Sequence, residues 1–204
     1  MHIGIDFDNT IACYDMLFYR EAVARQLIPA NTGQTKNCVR DYLREAGRED
    51  EWTELQGFAY GEGIGGASLF SGVKEFFATM HQRGAPLSII SHKTSAPVMG
   101  PKYNLHEAAR RWLLENELID ESQFGLSHDR VFFNETKSEK LSCIGQLSCT
   151  HFIDDLPEFL SERDFPPGVE RILFDPHERW PSTDLYRSAS SWSEILAMFE
   201  RGVT

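Results

Sequence analysis

The sequence predicts an α/β protein built on a mostly parallel sheet. Three observations carry that prediction. Apolar runs of strand length alternate with helical repeats along most of the chain. Three of the runs end in acid or hydroxyl residues: Ile3-Gly4-Ile5-Asp6-Phe7-Asp8, Leu87-Ser88-Ile89-Ile90-Ser91 and His151-Phe152-Ile153-Asp154. A helical stretch closed by Gly61, Gly63, Gly65 and Gly66 separates the first of these strands from the rest.

The first strand is read at residues 2–7. A helical pattern over 14–27 follows, with Met16, Leu17, Ala24 and Leu27 among its apolar positions, and Pro29 to Gly33 breaks it. Two further helices are expected at 37–45 and 49–59. The glycines at 61–66 then suggest a flexible hinge, because glycine absorbs backbone rotation at low cost. Ser71 is a candidate cap for a helix over 72–83, which Gly84 ends. Residues 86–91 read as a buried strand. A looser stretch with Pro97, Gly100 and Pro101 leads to Asn104 and Glu107, whose spacing is that of a capping box opening a helix to about 116. A short strand at 131–133 precedes a second such box, Thr136 with Glu139, opening a helix to about 147. Strands at 151–154 and 171–175 and a final helix over 191–199, with Trp192, Ile195, Leu196 and Phe199 on one side, complete the pattern. The expected division is a core of 1–13 and 69–204 and a small helical insertion of 14–68.

The 204 residues are 41% hydrophobic and 25% charged, enough for one domain with an insertion. A net charge of −11 argues against a nucleic-acid polymer or an anionic membrane as partner, since both need clustered Lys and Arg. Cys13, Cys38, Cys143 and Cys149 form no Cys-x-x-Cys pair and no zinc spacing, so buried reduced thiols and a cytoplasmic setting are expected. The apolar run at the start contains Asp6 and Asp8, which does not fit a leader, and no stretch is long and apolar enough to suggest a membrane span. Oligomeric state is not legible in the sequence.

Asp6 and Asp8 share one face as long as the strand continues, and two carboxylates so close repel unless a cation or a proton lies between them. Mg²⁺, a hard ion that prefers oxygen, is the simplest tenant. The simplest chemistry is one carboxylate attacking an electrophile while the other moves a proton. Ser91, a lysine (Lys137 or Lys140) and the pair Asp154-Asp155 recur in the same context, just past a strand or at a helix start. Each has an ordinary reading by itself. An Asp pair forms turns, Ser91 ends a strand, a lysine in a first helical turn is solvated although it opposes the helix dipole, and Asp154-Asp155 caps a helix at Leu156. Their order and shared strand-end placement point to a single site.

Together these residues resemble the haloacid dehalogenase superfamily of phosphohydrolases. The matching stretches are Asp6-Phe7-Asp8-Asn9-Thr10, Leu87 to Ser91, one of the two lysines, and Phe152-Ile153-Asp154-Asp155. The resemblance implies a Rossmann-like parallel sheet with helices on both faces and a mobile cap between the first and second motifs, where the 14–68 insertion falls. It implies Asp6 as nucleophile and Asp8 as general acid and base. Mg²⁺ would be held by Asp6, the Asp8 carbonyl and the Asp154-Asp155 pair, either member of which fits direct ligation. Ser91 and Thr10 would serve the phosphoryl group and its loop. Lys140, followed by Leu141, Ile144 and Leu147, fits the superfamily's lysine spacing at least as well as Lys137, and both stand. His92 and Lys93 come next after Ser91 and read either as phosphate or leaving-group contacts or as exposed loop. Asn9 stands where the superfamily often has glycine. An Asp at position 8 is what its phosphatases and phosphomutases have and its dehalogenases and ion pumps usually lack. The expected substrate is a small phosphorylated metabolite such as a nucleotide or sugar phosphate. A phosphomutase, a phosphate-sensing receiver-like module and a degenerate binding protein are the alternatives. Trp52, Phe58 and Tyr60 are read as cap core or as substrate lining.

Overall fold

In the computed structural model the described residues are 1–200. In chain order the elements are β1 (Ile3–Ile5), β2 (Ala12–Cys13), α1 (Asp15–Ala24), α2 (Lys36–Glu45), α3 (Glu49–Tyr60), a 3₁₀ turn (Glu62–Gly66), β3 (Ser68–Leu69), α4 (Val73–Gln82), β4 (Leu87–His92) and α5 (Leu105–Glu115). They continue with α6 (Glu121–Phe124), a 3₁₀ turn (His128–Arg130), β5 (Val131–Asn134), α7 (Lys137–Gln146), β6 (His151–Asp154), α8 (Pro157–Leu160), β7 (Glu170–Phe174), β8 (Arg187–Ala189) and α9 (Trp192–Glu200).

The chain divides into two compact units. The first comprises Met1–Ile11, Leu69–His92 and the chain from Glu117 onward; the second comprises Ala12–Ser68 and Lys93–Asn116. The first unit holds a six-stranded sheet in the order β5-β4-β1-β6-β7-β8, and its pairings are parallel. Both faces are covered, as an all-parallel sheet requires. On one face Ile90, Phe152 and Leu173 pack with Ile144 of α7 and with Phe159 and Leu160 of α8. On the other, the Phe174 ring meets Trp192 of α9 at 5.8 Å, and Trp192 meets Phe76 of α4 at 5.1 Å. This is the parallel α/β sheet that the alternating elements predict, in the Rossmann-like arrangement that the resemblance implies.

Registers place the strand ends together. Ile5 pairs with Ile89 on one side and Ile153 on the other, so Asp6, Ser91 and Asp154 emerge at one carboxyl edge. Gly4 is required at the centre of β1, because a Cβ there would stand 2.6 Å from the ring of Phe152. The capping box at α7 is formed: Thr136 Oγ1 accepts from Glu139 N at 3.2 Å, and Glu139 Oε2 accepts from Thr136 N at 3.1 Å. Ser71 does not cap α4; the cap position is Gly72, with φ 91°.

In the second unit α1, α2 and α3 bury Phe18, Val39, Leu43, Trp52, Leu55 and Ala59. Trp52 is core, while Phe58 and Tyr60 are half-buried. The helix α5 joins this unit: Trp112 is buried and its indole N–H donates to the Ala67 carbonyl at 3.2 Å. The compact unit is therefore larger than the 14–68 expected, because an amphipathic helix does not announce which neighbour covers its apolar side. The glycines at 61–66 are not a loose hinge. Gly61 lies under the ring of Tyr103 and Gly63 under that of Phe58, with no room for a Cβ at either, and Ile64, which follows Gly63, is buried. Gly61, Gly63 and Gly66 serve close packing, whereas Gly65 stands in open space.

The four cysteines are thiols. Only Cys149 is fully buried, whereas Cys13 and Cys143 are half-buried and Cys38 is exposed, against the expectation of general burial. Among the described residues no helix is long and apolar enough to cross a membrane.

Candidate active site

The first unit gathers a group of buried charges at the carboxyl edge of its sheet. Asp6 leaves β1 and Asp154 ends β6, and neither has appreciable solvent exposure. Lys140 stands on the inner side of α7, one turn before the buried Ile144, and is 1% exposed. Its Nζ donates to Asp6 Oδ1 and to Asp154 Oδ2, each at 2.6 Å. The second oxygen of Asp154 accepts from Leu156 N at 2.9 Å. Lys137, the competing lysine, is 46% exposed and pairs with Glu162 at 3.4 Å. Lys137 is the first residue of α7 and stays at the surface, while Lys140, nearly one turn further along, is buried.

One carboxylate oxygen from each of Asp6, Asp154 and Asp155 lies within 4.8 Å of the others. An all-oxygen donor set of this kind fits Mg²⁺ or a similar hard cation. The electrostatics agree with a need for one. Burial pushes the Asp6 carboxyl up to about 7, with Asp154 and Asp8 adding to the rise and Lys140 opposing it. Burial works against the charge of Lys140 too, but Asp154 and Asp6 outweigh it and hold the ammonium above the ordinary lysine range.

Asp8 is half-buried and lies two residues beyond Asp6. Asn9 follows in the left-handed region, φ 59°, a conformation that asparagine tolerates better than most residues and that glycine adopts without strain. Thr10 is fully buried; its carbonyl accepts from the Trp192 indole at 3.1 Å, which anchors the loop to α9. Among the described residues, Thr10 Oγ1 and Ser91 Oγ are the buried side-chain polar atoms without a hydrogen-bond partner. An unpaired buried hydroxyl is costly and calls for an explanation, and a ligand oxygen supplies one for Ser91.

His92 does not join this group. Strand alternation turns His92 away from Ser91 to an exposed position, where Nε2 lies 3.2 Å from the Glu135 carbonyl. Lys93 belongs to the second unit, is 4% exposed, and places Nζ 4.8 Å from the ring centre of Tyr60. Sequence reasoning missed the rings of Phe152 and Phe159 beside Lys140. No spacing rule marks them.

No family model matches the chain, and no curated protein matches its sequence. Solved structures do. The fold is that of the haloacid dehalogenase superfamily hydrolases. One similar structure is a hydrolase of that family from Deinococcus radiodurans with bound phosphate and sodium, 14% identical, covering 98% of this chain and 96% of its own, with a TM-score of 0.59. A phosphoserine phosphohydrolase-like protein from Francisella tularensis is 16% identical, with 97% and 98% covered and a TM-score of 0.59. A superfamily hydrolase from Bacillus subtilis bound to magnesium is 16% identical, with 97% of each chain covered and a TM-score of 0.58.

Proposed function

We propose that this chain is a Mg²⁺-dependent phosphohydrolase of the haloacid dehalogenase superfamily that cleaves a small phosphomonoester, a nucleotide or sugar phosphate, through an aspartyl-phosphate on Asp6. The observation that carries the reading is the convergence of Asp6, Asp154 and Asp155 within 4.8 Å, beside the Lys140 ammonium. The phosphate in the Deinococcus structure and the magnesium in the Bacillus structure support it by likeness of fold.

In this reading Asp6 attacks phosphorus in line, and the bond from phosphorus to the leaving oxygen breaks as Asp8 protonates that oxygen. Asp8 then takes a proton from water, whose oxygen attacks the aspartyl-phosphate and frees Asp6 and inorganic phosphate. Such proton transfer contributes roughly 10²–10⁴ in rate. Ser91 Oγ donates to a transferring oxygen, and Lys140 balances the charge that gathers there. Asp6, the Asp8 carbonyl and the Asp154-Asp155 pair would hold Mg²⁺, which makes phosphorus more electrophilic and screens the carboxylates from one another. The second unit, inserted between β1 and β4 and extended after β4, is read as the cap that selects the leaving group. His92 and Lys93 remain candidates for that selection. Four thiols and a strongly acidic composition suit a cytoplasmic enzyme of small metabolites that binds neither nucleic-acid polymer nor membrane.

The test is phosphate release from a panel of nucleotides, sugar phosphates and aryl phosphates with Mg²⁺. Turnover is expected for at least one class without a bisphosphate activator, reversible loss with EDTA, and none for Asp6→Asn. Full activity in Asp6→Asn, or halide release from a haloacid in place of phosphate release, overturns the reading.

A further inference from the structure

Behind the hydrogen bonds of Lys140 stand two phenyl rings. Its Nζ lies 4.1 Å from the ring centre of Phe159 and 5.3 Å from that of Phe152. Both rings are buried, and their centres are 5.9 Å apart at a tilt of 56°. Phe165 backs them, 5.7 Å from Phe159 and 6.1 Å from Phe152. Phe152 precedes Asp154 by two residues in β6, so its ring shares a sheet face with the Asp154 carboxylate. Phe159 sits in α8, whose entry residue Leu156 is held through its N–H by Asp154 Oδ1. The segment that delivers Asp154 thus delivers both rings.

An ammonium group has three N–H bonds, and carboxylates take two of them here, each at 2.6 Å. That support is conditional during turnover. Asp6 and Asp154 are the carboxylates a divalent cation would share, and Asp6 loses its charge on accepting the phosphoryl group. Each event alters the carboxylate acceptors of a lysine that has no solvent to fall back on, even though the phosphoryl group brings negative charge of its own. A ring face keeps its negative quadrupole throughout.

We propose that Phe159, seconded by Phe152, is a positioning residue that holds the Lys140 ammonium by cation–π attraction while the carboxylate partners are engaged in turnover. The proposal rests on the phosphohydrolase reading above and assigns this chain's aromatic pair a part in it.

Progressive fluorination of Phe159 tests it, using 4-fluoro-, 3,5-difluoro- and 3,4,5-trifluorophenylalanine in the full chain with Mg²⁺. These residues are close to isosteric and weaken the ring face step by step. The expected result is a stepwise fall in kcat, reaching about 10-fold with three fluorines, at constant KM and constant melting temperature. Phe159→Leu falls at least as far, and Phe159→Tyr restores kcat. A kcat indifferent to fluorination at unchanged melting temperature overturns the proposal. Should the unmodified chain turn over no phosphomonoester, it is the phosphohydrolase reading that fails. The ring contact is then read from the ¹⁵Nζ resonance of Lys140 in the metal-free protein. A stepwise shift with fluorination keeps the contact; an unmoved resonance overturns it.

Discussion

For Ser91 the proposed role and the contribution to stability can be told apart. Its hydroxyl is buried with no hydrogen-bond partner, so the folded protein gains little from it. Removing an unsatisfied polar group costs within about 1 kcal/mol and can stabilise. Ser91→Ala is therefore expected to melt in urea at the wild-type midpoint or slightly above it, while kcat/KM for the phosphomonoester falls by about 10- to 100-fold. A loss of stability without loss of activity would contradict the assignment. Asp6 makes a second residue-scale prediction. Its carboxyl is pushed up to about 7 by burial, so the fold favours the protonated form. That contribution is complete below the ordinary carboxylate range, near pH 4, and is lost as the pH rises through about 7. In EDTA, the stability of wild type relative to Asp6→Asn is expected to decline across that window, as read from denaturant midpoints, and Mg²⁺ reverses the decline. A difference that stays flat with pH argues against a buried Asp6 charge. At this scale the sequence was most readable. An acid at a strand end also forms turns and caps helices, so it was the shared placement of Asp6, Asp154 and Asp155 that pointed to the one acidic group they form. Lys140 and Lys137 could not be separated by spacing alone, because only the packing of α7 says which side of the helix faces inward. Phe152 and Phe159 looked like any other core residues.

Elements carry the site by holding those residues in place. The α7 capping box fixes the start of the helix that delivers Lys140. Thr136→Ala removes one half of it and is expected to cost about 1 kcal/mol, a fall of roughly 2–4 °C in melting temperature for a chain of this size. Scanning calorimetry checks this; an unchanged melting temperature would mean that packing alone positions α7. Gly4 sits in β1 with no room for a methyl group beside Phe152. Gly4→Ala is expected to cost about 1–3 kcal/mol by overpacking and to lower activity as well, since β1 leads directly to Asp6. Helices and strands with local punctuation were legible: both Asn104 and Thr136 cap as their spacing suggests, with Asn104 Oδ1 accepting from Glu107 N at 3.0 Å. Short elements were not. The strand β8 and the helices α6 and α8 have three or four residues each, too few for a period to show. The glycines at 61–66 misled because packing against Tyr103 and Phe58 asks for the same residue that flexibility does.

For the molecule as a whole, the parallel α/β sheet follows from the alternating pattern, but the boundary of the second unit does not. Residues 93–116 join it through contacts such as Trp112 with Ala67, which link parts of the chain 45 positions apart. Mg²⁺ supplied at about 100 times its dissociation constant is expected to add about 2.7 kcal/mol of global stability, seen as a rise in melting temperature that Asp6→Asn and Asp154→Asn lack. A second global prediction concerns acid. His2 ties β1 to the end of α7 and to β4: Nδ1–H donates to the Leu147 carbonyl at 2.7 Å, leaving Nε2 to accept from the Ser88 hydroxyl at 2.9 Å. Burial lowers its pKa, so its contribution is full above the ordinary histidine value and is lost as pH falls below about 6.5. His2→Gln is expected to flatten the melting temperature between pH 7 and pH 5, where wild type declines.

Ile5 and Ile153 are neighbours across a strand pair although 148 positions divide them. During synthesis Asp6 is made well before Asp154 and Asp155, the two acids it converges with. A nascent or truncated polypeptide ending before position 151 holds Asp6, Ser91 and Lys140 without Asp154 and Asp155, the other two members of the carboxylate group. The carboxylate group is completed in one step, with the insertion of β6.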